Sequence, residues 1–487
     1  MISFILSFIA LILGYILYGK FVEKVFGPEP GRKTPAVTKA DGVDFIRMPS
    51  WKVFMIQFLN IAGTGPIFGA IMGAKFGPSA YLWIVFGCIF AGAVHDYMVG
   101  MLSVRHEGVG LPEIVGIYLG KGTKKVMLVF SVILLLLVGT VFVYSPALIL
   151  GDIAGDGGRN SIMLWVLIIF LYYIVATLLP IDKIIGKIYP LFAFALLFMA
   201  VALMACLFIK WPSIPEIWDG LGSRGPADQP IFPCLFITIA CGAISGFHGT
   251  QSPLMARCME NEREGRAIFY GSMITEGIVA LVWAAVSSYF FFDGGAAEVG
   301  STTAAAAPTV VTKVSESWLG IVGGILAILG VVAAPITSGD TAFRSSRLII
   351  ADFLKINQKD VKNRLVIAIP LFLAATALLW FNVANEDGFN IIWRYFGWAN
   401  QTLAVFSLWA ATVYLVRKKG GLYYLITFLP AVFMTSVVTT YIAIAKIGFN
   451  LPSTWNVAIG ISAAAVAVVL FYLWKCRRVT SSSEKGQ

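Results

Sequence analysis

Residues 60–69 read NIAGTGPIFG and residues 241–253 read CGAISGFHGTQSP. Each stretch places paired glycines and a proline near the middle of an otherwise apolar run, where both residue types weaken an α-helix. In hydrocarbon a backbone that leaves the helix must be buried in protein or line a cavity, because lipid offers its N–H and C=O groups no partner. One such stretch is explained by a kink, or by small residues that let two helices pack closely. Two, five helices apart, ask for a common reason.

The surroundings establish that these are membrane spans. The chain has 487 residues, 58% hydrophobic and only 13% charged, with a mean hydropathy of +0.84. A soluble domain carries about 25% charged residues, so a cytosolic enzyme and a nucleic-acid-binding protein are both excluded. Aromatic residues at 14% and long apolar runs exclude disorder. A spanning helix takes about 20 mostly apolar residues. Thirteen stretches qualify, near 3–19, 52–74, 80–103, 125–150, 162–180, 187–209, 232–250, 269–292, 318–338, 365–381, 392–416, 422–445 and 455–474.

Threading the chain through these spans sorts its basic residues. Of 36 Lys and Arg, 29 fall in the loops of one side and 7 on the other. Basic loops stay in the cytoplasm, so the N-terminus is expected outside and the C-terminus inside. The net charge of +10 is thereby assigned to orientation, with no nucleic-acid partner; lipid is the surroundings. The first span lacks a basic leader and a small-residue cleavage site, and reads as an uncleaved helix. Loops near 20–50, 293–317 and 339–364 are too short to bury a core of their own. Residues 342–362 mix basic and apolar side chains and read as an amphipathic segment along the cytoplasmic face.

In this threading the second span runs outward and the seventh inward. Residues 51–210 and 230–417 then form a five-plus-five inverted repeat, each half opening with a broken helix. Residues 1–50 add an extra helix and loop, and 418–487 two helices and a tail. Such a repeat points to a secondary transporter with its binding site at mid-membrane. Freed N–H groups at a half-helix N-terminus favour an anion such as a carboxylate, which nominates Gly63, Thr64, Gly65, Gly69, Ser245, Gly246, Phe247 and His248 as substrate-binding residues. In the run Tyr395, Phe396, Trp398, Asn400 and Gln401, the Tyr and Trp read as an aromatic belt, while Asn400 and Gln401 need partners at depth and read as a gate or pocket wall.

Ionisable residues at membrane depth are costly and are functional candidates by default. His95 and Asp96 are proton carriers or cation ligands in one reading and a buried structural pair in the other. Thr337, Ser338 and Asp340 close the ninth span; they ligate a cation or cap the following segment. Lys187 is a snorkelling anchor or an inward ammonium standing where a cation would sit. Glu276 is a further proton-carrier candidate. The six cysteines show no CxxC and read as small buried hydrophobes, with no metal site and no cofactor other than a coupling proton or sodium.

DGVDF (41–45), IAGTGPIFG (61–69), AGAVHDYMV (91–99), CGAISGFHGTQSP (241–253), PITSGDTAFRS (335–345) and YFGWANQ (395–401), in this order, make the chain resemble the carbon starvation protein A (CstA) family, in its shorter form. The resemblance implies a multi-pass transporter of the bacterial inner membrane, used when preferred carbon runs out, which takes up peptides or, in some members, pyruvate with protons. It also implies a LeuT-like fold, with Thr337 and Ser338 at the hydroxyl positions of a cation site and the carbonyls near Ala62 opposite. Oligomeric state is not implied. A membrane-embedded enzyme would need HExxH, GxSxG or CxxC, all absent from the sequence. The alternative to a transporter is a membrane-embedded nutrient sensor or scaffold.

Overall fold

A computed structural model describes residues 1–154, 158–178, 181–223, 225, 229–292, 307–385 and 387–483. These residues form helices and turns and contain no strand. In chain order the main helices are α1 (Ile2–Phe26), α2 (Ser50–Ile61), α3 (Thr64–Gly73), α4 (Ser79–Arg105), α5 (Leu111–Leu119), α6 (Lys121–Ala154), α7 (Arg159–Leu178), α8 (Ile181–Lys210), α9 (Ile231–Thr238), α10 (Gly246–Ala256), α11 (Ser272–Phe292), α12 (Ala307–Leu354), α13 (Val361–Ala384), α14 (Gly388–Lys418), α15 (Leu425–Ile444) and α16 (Asn456–Ser483).

Among the described residues, ten helices are long and apolar enough to cross a membrane, or eleven when α2 and α3 count as one bent span. That makes a multi-pass membrane protein, with fewer self-sufficient spans than the thirteen expected. Three expected spans are not among the ten, and the one at 52–74 is the bent pair of α2 and α3. The one at 232–250 is split, with α9 only eight residues long. The one at 318–338 lies inside α12, a 48-residue helix with a break at Gly320. Leucines and aromatics on the outer helices, such as Leu164, Leu171, Leu373, Trp380 and Leu470, remain exposed, as a surface facing lipid rather than water requires.

Both broken helices are present. Between α2 and α3 the chain leaves helical geometry at Ala62 (φ −81°, ψ 55°) and Gly63 (φ −70°, ψ −147°), and the axis bends by 47°. Pro66 sits in the first turn of α3, where its missing N–H costs nothing. Between α9 and α10 the chain is unwound from Ile239 to Ser245. Cys241, expected on a helix, therefore lies on irregular backbone. The two breaks touch: a Cβ on Gly65 would collide with the side chain of Cys241.

α12 corrects the expectation for the ninth span. Helix continues without interruption from Ile321 to Leu354, so Ser338 and Asp340 are interior residues and cap nothing. The basic residues that follow do not lie along a surface, for Arg344 and Arg347 are fully buried. Asp44 explains how they are tolerated. Its carboxylate approaches Arg344 at 3.5 Å and Arg347 at 3.8 Å, while Arg344 also donates to the carbonyl of Ala176 at 2.7 Å. The DGVDF loop delivers Asp44 because the carboxylate of Asp41 accepts from the backbone N–H groups of Val43, Asp44 and Phe45.

Candidate functional site

The site lies where the two breaks meet the C-terminal half of α4. A π-helical turn at Cys88–Gly92 precedes His95 and Asp96, and such turns re-aim the side chains that follow them. α10 packs against that half of α4 and also against α2, α12 and α14. His248, two residues into α10, thereby faces α4. Asp96 stands between two imidazoles: its Oδ1 lies 2.8 Å from His95 Nδ1 and its Oδ2 2.9 Å from His248 Nδ1. His95 Nε2 continues to the hydroxyl of Ser407 at 2.8 Å. At the other end His248 Nε2 lies 3.4 Å from Glu276 Oε2 on α11. The result is a line of groups from α14 to α11, Ser407–His95–Asp96–His248–Glu276, hydrogen-bonded as far as His248 and closed by an ion-pair contact to Glu276, every member of which is buried. Desolvated charge survives only when paired and hydrogen-bonded, and here each histidine offers a carboxylate its ring nitrogen.

The expected coupling residues are thus only partly assembled. His95 and Asp96 join His248, expected at the substrate, and Glu276, a further proton-carrier candidate. Ser338 sits at the first break, donating to the carbonyl of Leu59 at 3.0 Å. Thr337 turns back on its own helix, toward the carbonyls of Ala333 and Ala334. Asp340 takes a hydrogen bond from Tyr189 at 2.8 Å and lies in a separate cluster. The side chain of Lys187, on α8, is outside the described residues.

Among the expected substrate residues, Ser245 is the N-cap of α10, yet its hydroxyl does not close the helix end. Asn400 of α14 does so, accepting from Phe247 N–H at 2.7 Å and from the Ser245 hydroxyl at 3.0 Å through the same Oδ1. Gly246 is packed so closely that a Cβ there would meet the backbone of Asn400 and Ala404. Gly69 lies against the carbonyl of Thr238 at the end of α9. Gln401 donates to the carbonyl of Phe236 at 2.9 Å, so it secures α9 rather than α10. Thr64 begins α3, and its buried hydroxyl has no hydrogen-bond partner.

Two residues not singled out in the sequence belong here. Gln57 and Asn60 share one face of α2, at i and i+3. Gln57 donates to Ser252 of α10 at 3.3 Å, while its Oε1 and both polar atoms of Asn60 are buried without partners. The signal was their depth: a carboxamide inside a span needs a partner, and α2 carries two just before its break.

With this geometry in hand, comparison places the chain among known proteins. The model of the family described as carbon starvation protein CstA matches residues 1–154, 158–322 and 319–443. An uncharacterized membrane protein of Haemophilus influenzae is 48% identical over 59% of this chain and 90% of its own. The peptide transporter CstA of Campylobacter jejuni is 29% identical over 89% of this chain and 78% of its own. The pyruvate/proton symporter BtsT of Escherichia coli is 28% identical over 57% of this chain and 47% of its own. Among solved structures, the manganese transporter of Eremococcus coleocola superposes with a TM-score of 0.60 at 12% identity, covering 90% of this chain and 99% of that one. At that identity the likeness is one of fold.

Proposed function

Because the chain belongs to the carbon starvation protein CstA family, we propose that it is a secondary active transporter for small carboxylate-bearing nutrients, peptide or pyruvate. The relatives' names support the substrate class. In this reading the chain lies in the bacterial inner membrane with its N-terminus outside and its C-terminus in the cytoplasm. The two broken helices open the halves of an inverted repeat of the LeuT-like kind. One half rocks against the other about the crossing of the breaks, exposing the site to each side in turn. The half-helix N-termini at Thr64 and Gly246 receive the carboxylate.

The observation that carries the coupling half of the proposal is the buried chain from Ser407 to Glu276. It joins α4, α10, α11 and α14 through side chains that exchange protons readily, so a change in its protonation alters the packing of four helices at once. We therefore favour a proton over sodium as the coupling ion. Sodium would instead use Ser338 and the carbonyls at the first break.

The test is uptake of labelled pyruvate and of a labelled dipeptide into proteoliposomes, under an imposed proton or sodium gradient. Accumulation of one substrate under the proton gradient, abolished by a protonophore, is expected. No accumulation under any gradient overturns the proposal and leaves the nutrient sensor.

A further inference from the structure

The crossing of the breaks also brings together a donor set that transport of a carboxylate does not require. Cys241 Sγ, His248 Nε2 and a carboxylate oxygen of Glu276 lie within 4.8 Å of one another. All three side chains are buried. His248 Nε2 and both oxygens of Glu276 have no hydrogen-bond partner; the nitrogen and one of those oxygens meet at an ion-pair distance of 3.4 Å, which leaves their hydrogen-bonding capacity in a dry interior unused. A sulfur, an imidazole nitrogen and a carboxylate oxygen are the ligand types of a zinc-like divalent ion. Bond lengths of about 2.0–2.3 Å put ligand atoms roughly 3.3–3.7 Å apart around such an ion. His248 Nε2 and Glu276 Oε2, at 3.4 Å, already meet that spacing. Cys241, on the unwound backbone between α9 and α10, lies within 4.8 Å of both and so has at most about 1.5 Å to close.

The surroundings are those of a metal ligand as well. A histidine bound to a metal through Nε2 ordinarily gives its Nδ1–H to a carboxylate, which fixes the tautomer and aims the ring. Asp96 occupies that place at 2.9 Å from His248 Nδ1, and His95 steadies Asp96 in turn. The orphaned nitrogen is therefore the one that points at Cys241 and Glu276. Three protein ligands leave one coordination position open.

We propose that Cys241, His248 and Glu276 bind a zinc-like divalent transition-metal ion, and that the bound ion arrests the protein by pinning the second break to α11. Binding of the ion stands without the transport proposal; the arrest rests on that reading. Its side chains are shared with the proton chain, so metal and coupling proton exclude each other.

Cobalt(II) chloride serves as the spectroscopic probe. The full-length chain carrying Cys476→Ser, which removes the exposed thiol, is purified in detergent and titrated without substrate. One cobalt ion per chain, with a thiolate-to-cobalt charge-transfer band displaced by zinc, is expected. Cys241→Ser keeps a hydroxyl for the hydrogen bonds to Ser245 and Asn400 and is expected to abolish the band at unchanged thermal stability. Glu276→Gln removes a charged ligand and is expected to weaken binding by more than about tenfold, since even the loss of an outer-shell partner costs a metal site about that much. No band after prolonged incubation, or a band of equal strength in Cys241→Ser, overturns the inference. Neither result bears on uptake in metal-free vesicles, so the two proposals fail separately.

Discussion

Asp96 and His248, 152 positions apart in the chain, are joined by a hydrogen bond of 2.9 Å between Oδ2 and Nδ1. The pair couples α4 to the half-helix that follows the second break. Any rearrangement of α10 must therefore either carry α4 with it or break a contact between buried charge-bearing groups, which is expensive in a dry interior.

Asp96→Asn keeps the size and one acceptor but cannot exchange a proton. Gradient-driven accumulation in proteoliposomes should fall at least about tenfold, of the order that positioned acid–base groups contribute elsewhere. Exchange of labelled for unlabelled substrate without a gradient should persist. Equal loss of both activities would point to a collapsed site and count against a coupling role.

Asn400→Ala removes the acceptor that closes the start of α10. Losing a helix cap, and leaving a buried N–H unpaired, should cost about 1–3 kcal/mol. A lowered melting temperature in detergent checks this. Asn400→Asp, which retains the acceptor, should restore part of the loss.

Gly65→Ala places a methyl group against Cys241. Overpacking of this kind costs about 1–3 kcal/mol, and it should also slow uptake by wedging the two breaks apart. Combining it with Cys241→Gly should recover stability relative to the single variant. A double variant no better than the sum of the two losses would show that the breaks do not press on each other as described.

His106, just beyond the end of α4, lies 2.7 Å from the hydroxyl of Tyr118. Burial, and then the charges of Lys418 and Arg32, hold its imidazole below the ordinary value of 6.5. The folded chain thus keeps His106 neutral while the unfolded chain takes up a proton once the pH drops below 6.5. Its stabilising contribution is present above that pH and is lost as the pH falls through the lower folded value. Melting temperature in detergent should decline on mild acidification, and less steeply in His106→Gln.

The breaks were legible because glycine and proline disrupt a helix wherever they stand, whatever packs nearby. Gly63, Gly65 and Pro66 announce the first, and Ser245 and Gly246 the restart of the second. The partnership of Cys241, His248 and Glu276 was not legible. The first two are separated by unwound chain, so they obey no helical spacing, and Glu276 arrives from a different helix altogether. Asn400 was noticed for being polar at depth, yet its task depends on how α14 crosses α10, which no local pattern encodes. The amphipathic reading of residues 342–362 failed for a related reason. Arginines look solvent-bound in a sequence until a carboxylate that accompanies them, Asp44, is found 300 positions upstream of Arg344.

Asn400 lends its carboxamide oxygen to the very N–H that an incoming carboxylate would seek. Under the proposed function, the resting protein would carry an internal rival for its cargo. A carboxylate arriving at α10 would gain only the difference between its bond to Phe247 and the one it displaces, so weak ligands would be filtered out before they engage. Dislodging the carboxamide would free α10 from this tie to α14, and the filling of the site would pass to the neighbouring helix as a released tether.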